Sequence, residues 1–136
     1  MALRKFAIVG SRRYQNESAV RKLVRDLASK HQEIMIVSGG ARGPDTWAEN
    51  EAESLGIPCI SYRAFKVGKW DAPDWEWGFI LRGRNSSVVE LADEIHAFVA
   101  PNRKGGTEDT ISKAKSKKNK PIFLYDESGE ILKENP

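Results

Sequence analysis

The stretch Ile34-Met35-Ile36-Val37-Ser38-Gly39-Gly40-Ala41-Arg42-Gly43-Pro44-Asp45 reads as a strand, a glycine turn and the start of a helix. Four apolar residues run without alternation, as in a strand covered on both faces of a parallel sheet. A Ser-Gly-Gly turn follows. Pro44 then suits the first turn of a helix, Ala48, Ala52 and Leu55 repeat at helical spacing, and Gly56 suits its stop. Strand, glycine turn and helix in that order form one unit of an α/β fold.

The same unit recurs outward from this stretch. Continuous apolar runs stand at Phe6–Val9, Cys59–Tyr62, Ile95–Val99 and Ile122–Tyr125. Between them, Val20, Leu23, Val24, Leu27 and Ala28 mark one face of a helix over 17–30. Ile80, Val88, Leu91 and Ala92 suggest a third helix, and Ile111 with Ala114 a fourth. Strand–helix alternation of this kind predicts a Rossmann-like, open, mostly parallel five-stranded sheet with helices on both faces.

The chain of 136 residues is one domain in length, with its core expected over about 5–125 and an acidic tail over 126–136. That tail either adds a short edge strand or frays. No apolar run approaches the roughly 20 residues needed to cross a bilayer, so no membrane partner is expected. A single cysteine, Cys59, leaves no internal disulfide, and with no signal-like apolar stretch the expectation is a reducing cytoplasm. One Cys with scattered His31 and His96 calls for no metal site, and nothing in the sequence calls for a cofactor. His96, inside an apolar strand, reads as a core residue.

Net charge is +3, but residues after Tyr125 sum to −3, leaving +6 on 1–125. Such a surface favours anionic ligands or nucleic acid weakly. The lysines at 113, 115, 117, 118 and 120 read either as a solvated helix face or as part of that surface.

In an open parallel sheet, ligands bind beyond the carboxyl ends of the strands at the switch in strand order. Three glycine-bearing turns fall there: Gly10-Ser11-Arg12, Ser38-Gly39-Gly40 with Arg42 and Gly43, and Gly105-Gly106-Thr107. Each precedes a helix, so each is expected to offer backbone N–H groups and a positive dipole end to a phosphate-bearing ligand. Arg12, Arg42 and Arg84 add fixed charge, and Asn85 lies beside Arg84. Asp45 reads either as a first-turn carboxylate or as a ribose ligand. Glu108 and Asp109 read either as first-turn carboxylates or as a general acid or base. Trp70, Trp75 and Trp77 form either a base-stacking lid or the loop's own packing.

These residues also carry a resemblance. Val9-Gly10-Ser11-Arg12, then Val37 through Asp45 with Ala48, is similar to the SLOG superfamily, which groups the DNA-processing protein A (SMF) family with the Lonely guy family. Asp74-Trp75, Gly83-Arg84-Asn85, Ala92-Asp93, Ala97-Phe98, Gly105-Gly106-Thr107 and Thr110 resemble its small stand-alone YspA/YpsA-related branch. The resemblance implies a Rossmann-like fold and a pocket for nucleotides or nucleotide-derived ligands.

Within that superfamily the Lonely guy enzymes cleave a base from a nucleoside monophosphate, and Arg84 matches the position of their arginine. Their motif glutamate falls on Thr110 here, with Asp109 one residue early, about 100° round a helix. The DNA-processing branch implies single-stranded DNA binding. Three expectations follow. The first is a sensor or carrier of a nucleotide-derived small molecule. The second is an N-glycoside hydrolase using Arg84 with Asp109 or Glu108, and the third is single-stranded DNA binding. Relatives of this fold often pair, so a homo-oligomer is also expected.

Overall fold

The structure, a computed structural model, describes residues 3–40, 42–62, 85–101, 106–115 and 120–132. Five strands form one sheet: β1 (Arg4–Gly10), β2 (Ile34–Ser38), β3 (Cys59–Ser61), β4 (Glu94–Phe98) and β5 (Ile122–Tyr125). Their order is β3-β2-β1-β4-β5 and all four pairings are parallel. The helices are α1 (Glu17–Lys30), α2 (Pro44–Ser54), α3 (85–91) and α4 (Gly106–Lys113). The chain winds outward from β1 to β3, then returns to β1's other side as β4. The expected doubly wound α/β fold is therefore present, and the strand order reverses between β1 and β4.

Side chains alternate across β1 and build a core on each face. Phe6 and Ile8 join Val20, Val24 and Leu27 of α1 and Ala48 and Ala52 of α2. Ala7 and Val9 join Val88, Val89 and Ala92 on the α3 side and Ile111 and Ala114 on the α4 side. Two successive residues facing opposite apolar layers explain the unbroken apolar run.

Helix ends follow their local chemistry. Asn16 Oδ1 accepts the Ala19 N–H at 3.2 Å, satisfying one first-turn donor of α1. Pro44 opens α2, and Gly56 follows its end with φ +71°. Arg21 joins α1 to α2, with Glu17 at 2.7 Å and Glu51 at 3.0 Å.

Two expectations are corrected. Leu55, placed on the buried face of α2 by its spacing, is 45% exposed because it is the C-cap. β3 is not covered on both faces: Cys59 and Ser61 are exposed on an edge strand only three residues long.

Of the acidic tail, residues 126–132 are described. Asp126–Gly129 forms a turn, and Ile131 returns antiparallel to Tyr125. Three donors, Ser128 N–H, Ser128 Oγ–H and Glu130 N–H, converge on the Asp126 carboxylate. The Ser128 hydroxyl bond first, and then the backbone donors, hold this carboxyl below the usual range.

His96 lies in the core as expected. Its ring stacks on Phe123 and Tyr125, with Nδ1 2.7 Å from the Tyr125 hydroxyl and Nε2 2.8 Å from Glu94. Ile80 and the three loop tryptophans lie outside the described residues.

Candidate functional site

The carboxyl ends of β1 and β4 separate beyond the pair Gly10–Phe98, where the Ser11 N–H still donates to the Phe98 carbonyl at 3.0 Å. The Pro44 ring of α2 sits over this point. A Cβ on Gly10 would lie 2.3 Å from Pro44 Cγ and 3.0 Å from the Phe98 oxygen, so only glycine fits.

The turn before α2 meets the same place. Gly43 has φ +89° and ψ −133°, and a Cβ there would lie 3.3 Å from the Ser11 oxygen and 3.6 Å from Arg12 Cα. The structure thus brings the first two glycine turns into contact. Arg12, Arg13 and Arg42 are exposed on them. The third turn is described in part: α4 starts at Gly106, Thr107 is buried, and Gly105 and Arg84 lie outside the described residues.

Several backbone donors of the first two turns are engaged within the chain. Gly39 N–H donates to the Asp45 carboxylate at 2.8 Å, and Gly40 N–H donates to Ser38 Oγ at 2.9 Å. Arg13 N–H donates to Ser11 Oγ at 3.1 Å, and Tyr14 N–H to the Ser11 oxygen at 3.0 Å. A phosphate cradle of the P-loop kind needs such N–H groups turned to the ligand. Here they stabilise the turns, and the charge presented outward is that of the arginines.

Asp45 is buried, at 3% exposure, and its bond to Gly39 places it beneath the turn. Ser38 is fully buried. Its hydroxyl donates to Glu49 Oε2 at 2.5 Å, and Ser61 donates to the same oxygen at 3.0 Å. Glu49 is absent from the sequence reading. Its signal was its position four residues after Asp45, on the same helix face.

Asp109 Oδ2 accepts from Asn85 Nδ2 at 3.0 Å and from Lys113 Nζ at 2.5 Å, tying α3 to α4. Lys120 Nζ donates to the carbonyls of Val89, Glu90 and Ala92, closing the end of α3. Lys113 and Lys120 therefore hold the fold together, Lys115 is exposed, and 117 and 118 lie outside the described residues.

The tail holds the Arg12–Arg13 loop from below. Tyr14 donates to the Asp126 oxygen at 2.5 Å, Asn16 Nδ2 to the Glu127 oxygen at 2.9 Å, and Gln15 N–H to the Glu127 carboxylate at 3.2 Å. Burial, then the Glu127 and Asp126 charges, push the Tyr14 hydroxyl up to about 12.

Among the described residues, two grooves of about 270 and 360 Å³ lie away from these turns, and none of the predicted site residues lines them. Among the described residues no cluster of three or more His, Cys, Asp or Glu could hold a metal, and no helix is long and apolar enough to cross a membrane.

Comparison with known proteins agrees with this topology. DNA processing protein A from Streptococcus pneumoniae superposes with a TM-score of 0.72 at 22% identity, over 90% of this chain and 50% of that one. A Helicobacter pylori DNA processing protein A, solved for its single-stranded DNA binding mode, gives 0.64 at 23% identity, over 90% of this chain and 65% of that one. The chain thus spans half to two thirds of the length of these proteins. No curated protein matches the sequence. The model of the DNA recombination-mediator protein A family matches residues 1–69, which hold β1 through β3 and both contacting glycine turns. With half its length matched by that family model, this chain belongs to the DNA recombination-mediator protein A family.

Proposed function

We propose that the chain binds single-stranded DNA across the carboxyl edge of its sheet, with successive phosphates meeting Arg12, Arg13 and Arg42. The observation that carries this is the internal engagement of the turn donors. With Gly39 and Gly40 N–H groups bonded to Asp45 and Ser38, these two amides are not turned toward a lone phosphate. Exposed guanidinium groups on two touching loops instead suit a strand whose charges are spaced along its length. Family membership and the DNA-binding relative support the same reading.

A mononucleotide-derived ligand would meet the same arginines, and competition separates the two. Base cleavage would call on Asp109 or Glu108, and the Asp109 carboxylate is held between Asn85 and Lys113. The test is fluorescence anisotropy with a labelled 20-nucleotide oligo(dT), chased with AMP or ADP-ribose. Each arginine replaced by alanine is expected to weaken binding about fivefold, one exposed charge-assisted contact. Micromolar AMP displacing the oligonucleotide would move the ligand class to mononucleotides. Wild-type affinity in Arg12→Ala/Arg42→Ala would refute the placement.

A further inference from the structure

Ser38 and Ser61 are paired in register at the carboxyl ends of β2 and β3, and both hydroxyls donate to one oxygen of Glu49. A serine hydroxyl has one proton. Once Glu49 takes it, the remaining lone pairs of Ser38 Oγ can only accept, and one of them receives the Gly40 N–H at 2.9 Å. Gly40 stands at φ +73°, the first left-handed residue of the turn that carries Arg42 to Gly43.

Four residues earlier on α2, Asp45 holds the Gly39 N–H. Two carboxylates on one helix face thus grip two successive amides, one directly and one through a serine. The Tyr62 N–H donates to the Ser38 backbone carbonyl at 2.8 Å, continuing the β2–β3 ladder past Ser61.

We propose that Glu49 is a positioning residue for nucleic-acid binding: through Ser38 it locks the Gly40 turn and so sets the place of Arg42. This rests on the single-stranded DNA reading and adds a residue that does not itself touch the strand. The role requires an acceptor at this position and not a charge, since Glu49 acts by receiving hydroxyl protons.

Glu49→Gln, Glu49→Ala and Ser38→Ala separate the possibilities, read by amide hydrogen exchange at Gly40 and by oligo(dT) anisotropy on the full chain. Glu49→Gln keeps an acceptor oxygen and is expected to retain Gly40 protection and affinity within about twofold. Glu49→Ala and Ser38→Ala are expected to lose Gly40 protection and about fivefold to tenfold in affinity. Unchanged Gly40 exchange in Ser38→Ala would overturn the proposal. So would tighter binding in both Glu49 variants, which would mark Glu49 as a repelling charge. A wild type that binds no oligonucleotide would overturn the DNA-binding reading and with it the part Glu49 plays in binding, while Gly40 exchange would still report whether Glu49 holds the turn. Should Glu49→Ala fail to fold, Ser38→Ala and Glu49→Gln decide the matter.

Discussion

Replacing Gly10 by alanine tests the packing that creates the switch point. The new Cβ would stand 2.3 and 2.6 Å from Pro44 Cγ and Cβ, where ordinary contact begins near 3.4 Å, so something must move by about 1 Å. Pro44 cannot yield alone. Its ring belongs to the first turn of α2, which is anchored by fully buried Ala48 and Ala52. On the other side the Phe98 oxygen, at 3.0 Å, already accepts the Ser11 N–H.

Overpacking of this kind costs about 1–3 kcal/mol, and a displacement of this size places Gly10→Ala near the top. The narrower unfolded ensemble of alanine offsets up to about 1 kcal/mol, leaving a loss of about 2 kcal/mol. For a domain of this length that is a fall in Tm of roughly 6–10 °C. Urea denaturation followed by tryptophan fluorescence measures it. Pro44→Gly removes both obstructing carbons, so a double-mutant cycle should show Gly10→Ala and Pro44→Gly coupled by about 1–2 kcal/mol. A single substitution within about 0.5 kcal/mol of wild type, or additive effects in the cycle, would refute the reasoning.

Gly43→Ala forces a Cβ onto φ +89° and against the Ser11 oxygen; a loss of about 1–3 kcal/mol is expected in urea midpoints, with weakened oligonucleotide binding. Lys120→Met leaves the Val89, Glu90 and Ala92 carbonyls without their ammonium donor and should cost about 1–2 kcal/mol, read by thermal denaturation. The His96 bond first, and Arg4 and His31 charges after it, hold the Glu94 carboxyl below its ordinary value of 4.5. Its contribution is therefore complete above that value and lost as pH falls through the lower folded one, so His96→Phe should flatten the acid limb of a stability–pH curve. At the other extreme Tyr14 is raised from 10.0 to about 12, so its contribution is present below pH 10 and lost as pH rises through about 12; Tyr14→Phe should remove that limb.

β1, β2 and β5 were legible because each holds an unbroken apolar run, and burial on both faces of a parallel sheet leaves that mark in local sequence. Pro44 and Gly56 likewise carry their backbone preferences with them, wherever they pack. Leu55 and Cys59 misled for one reason: apolar character marks what can be buried, and a cap residue or an edge strand need not be.

The first two glycine turns lie at the carboxyl edge of the sheet, where the strand–turn–helix pattern puts them, but the partners of their amides were not readable. The Asp45–Gly39 and Glu49–Ser38 bonds exist only once α2 has folded back along β2. Lys113 and Lys120 resembled a solvated run because their partners, Asp109 and the end of α3, come from packing.

The salt dependence of oligo(dT) binding tests the central claim most directly. With Arg12, Arg13 and Arg42 each neutralising one phosphate, log affinity should fall with log salt at a slope of roughly −2, and Arg12→Ala/Arg42→Ala should reduce it to roughly −0.7. A slope near zero, or one that the double substitution leaves unchanged, would contradict the assignment of DNA binding to this edge of the sheet.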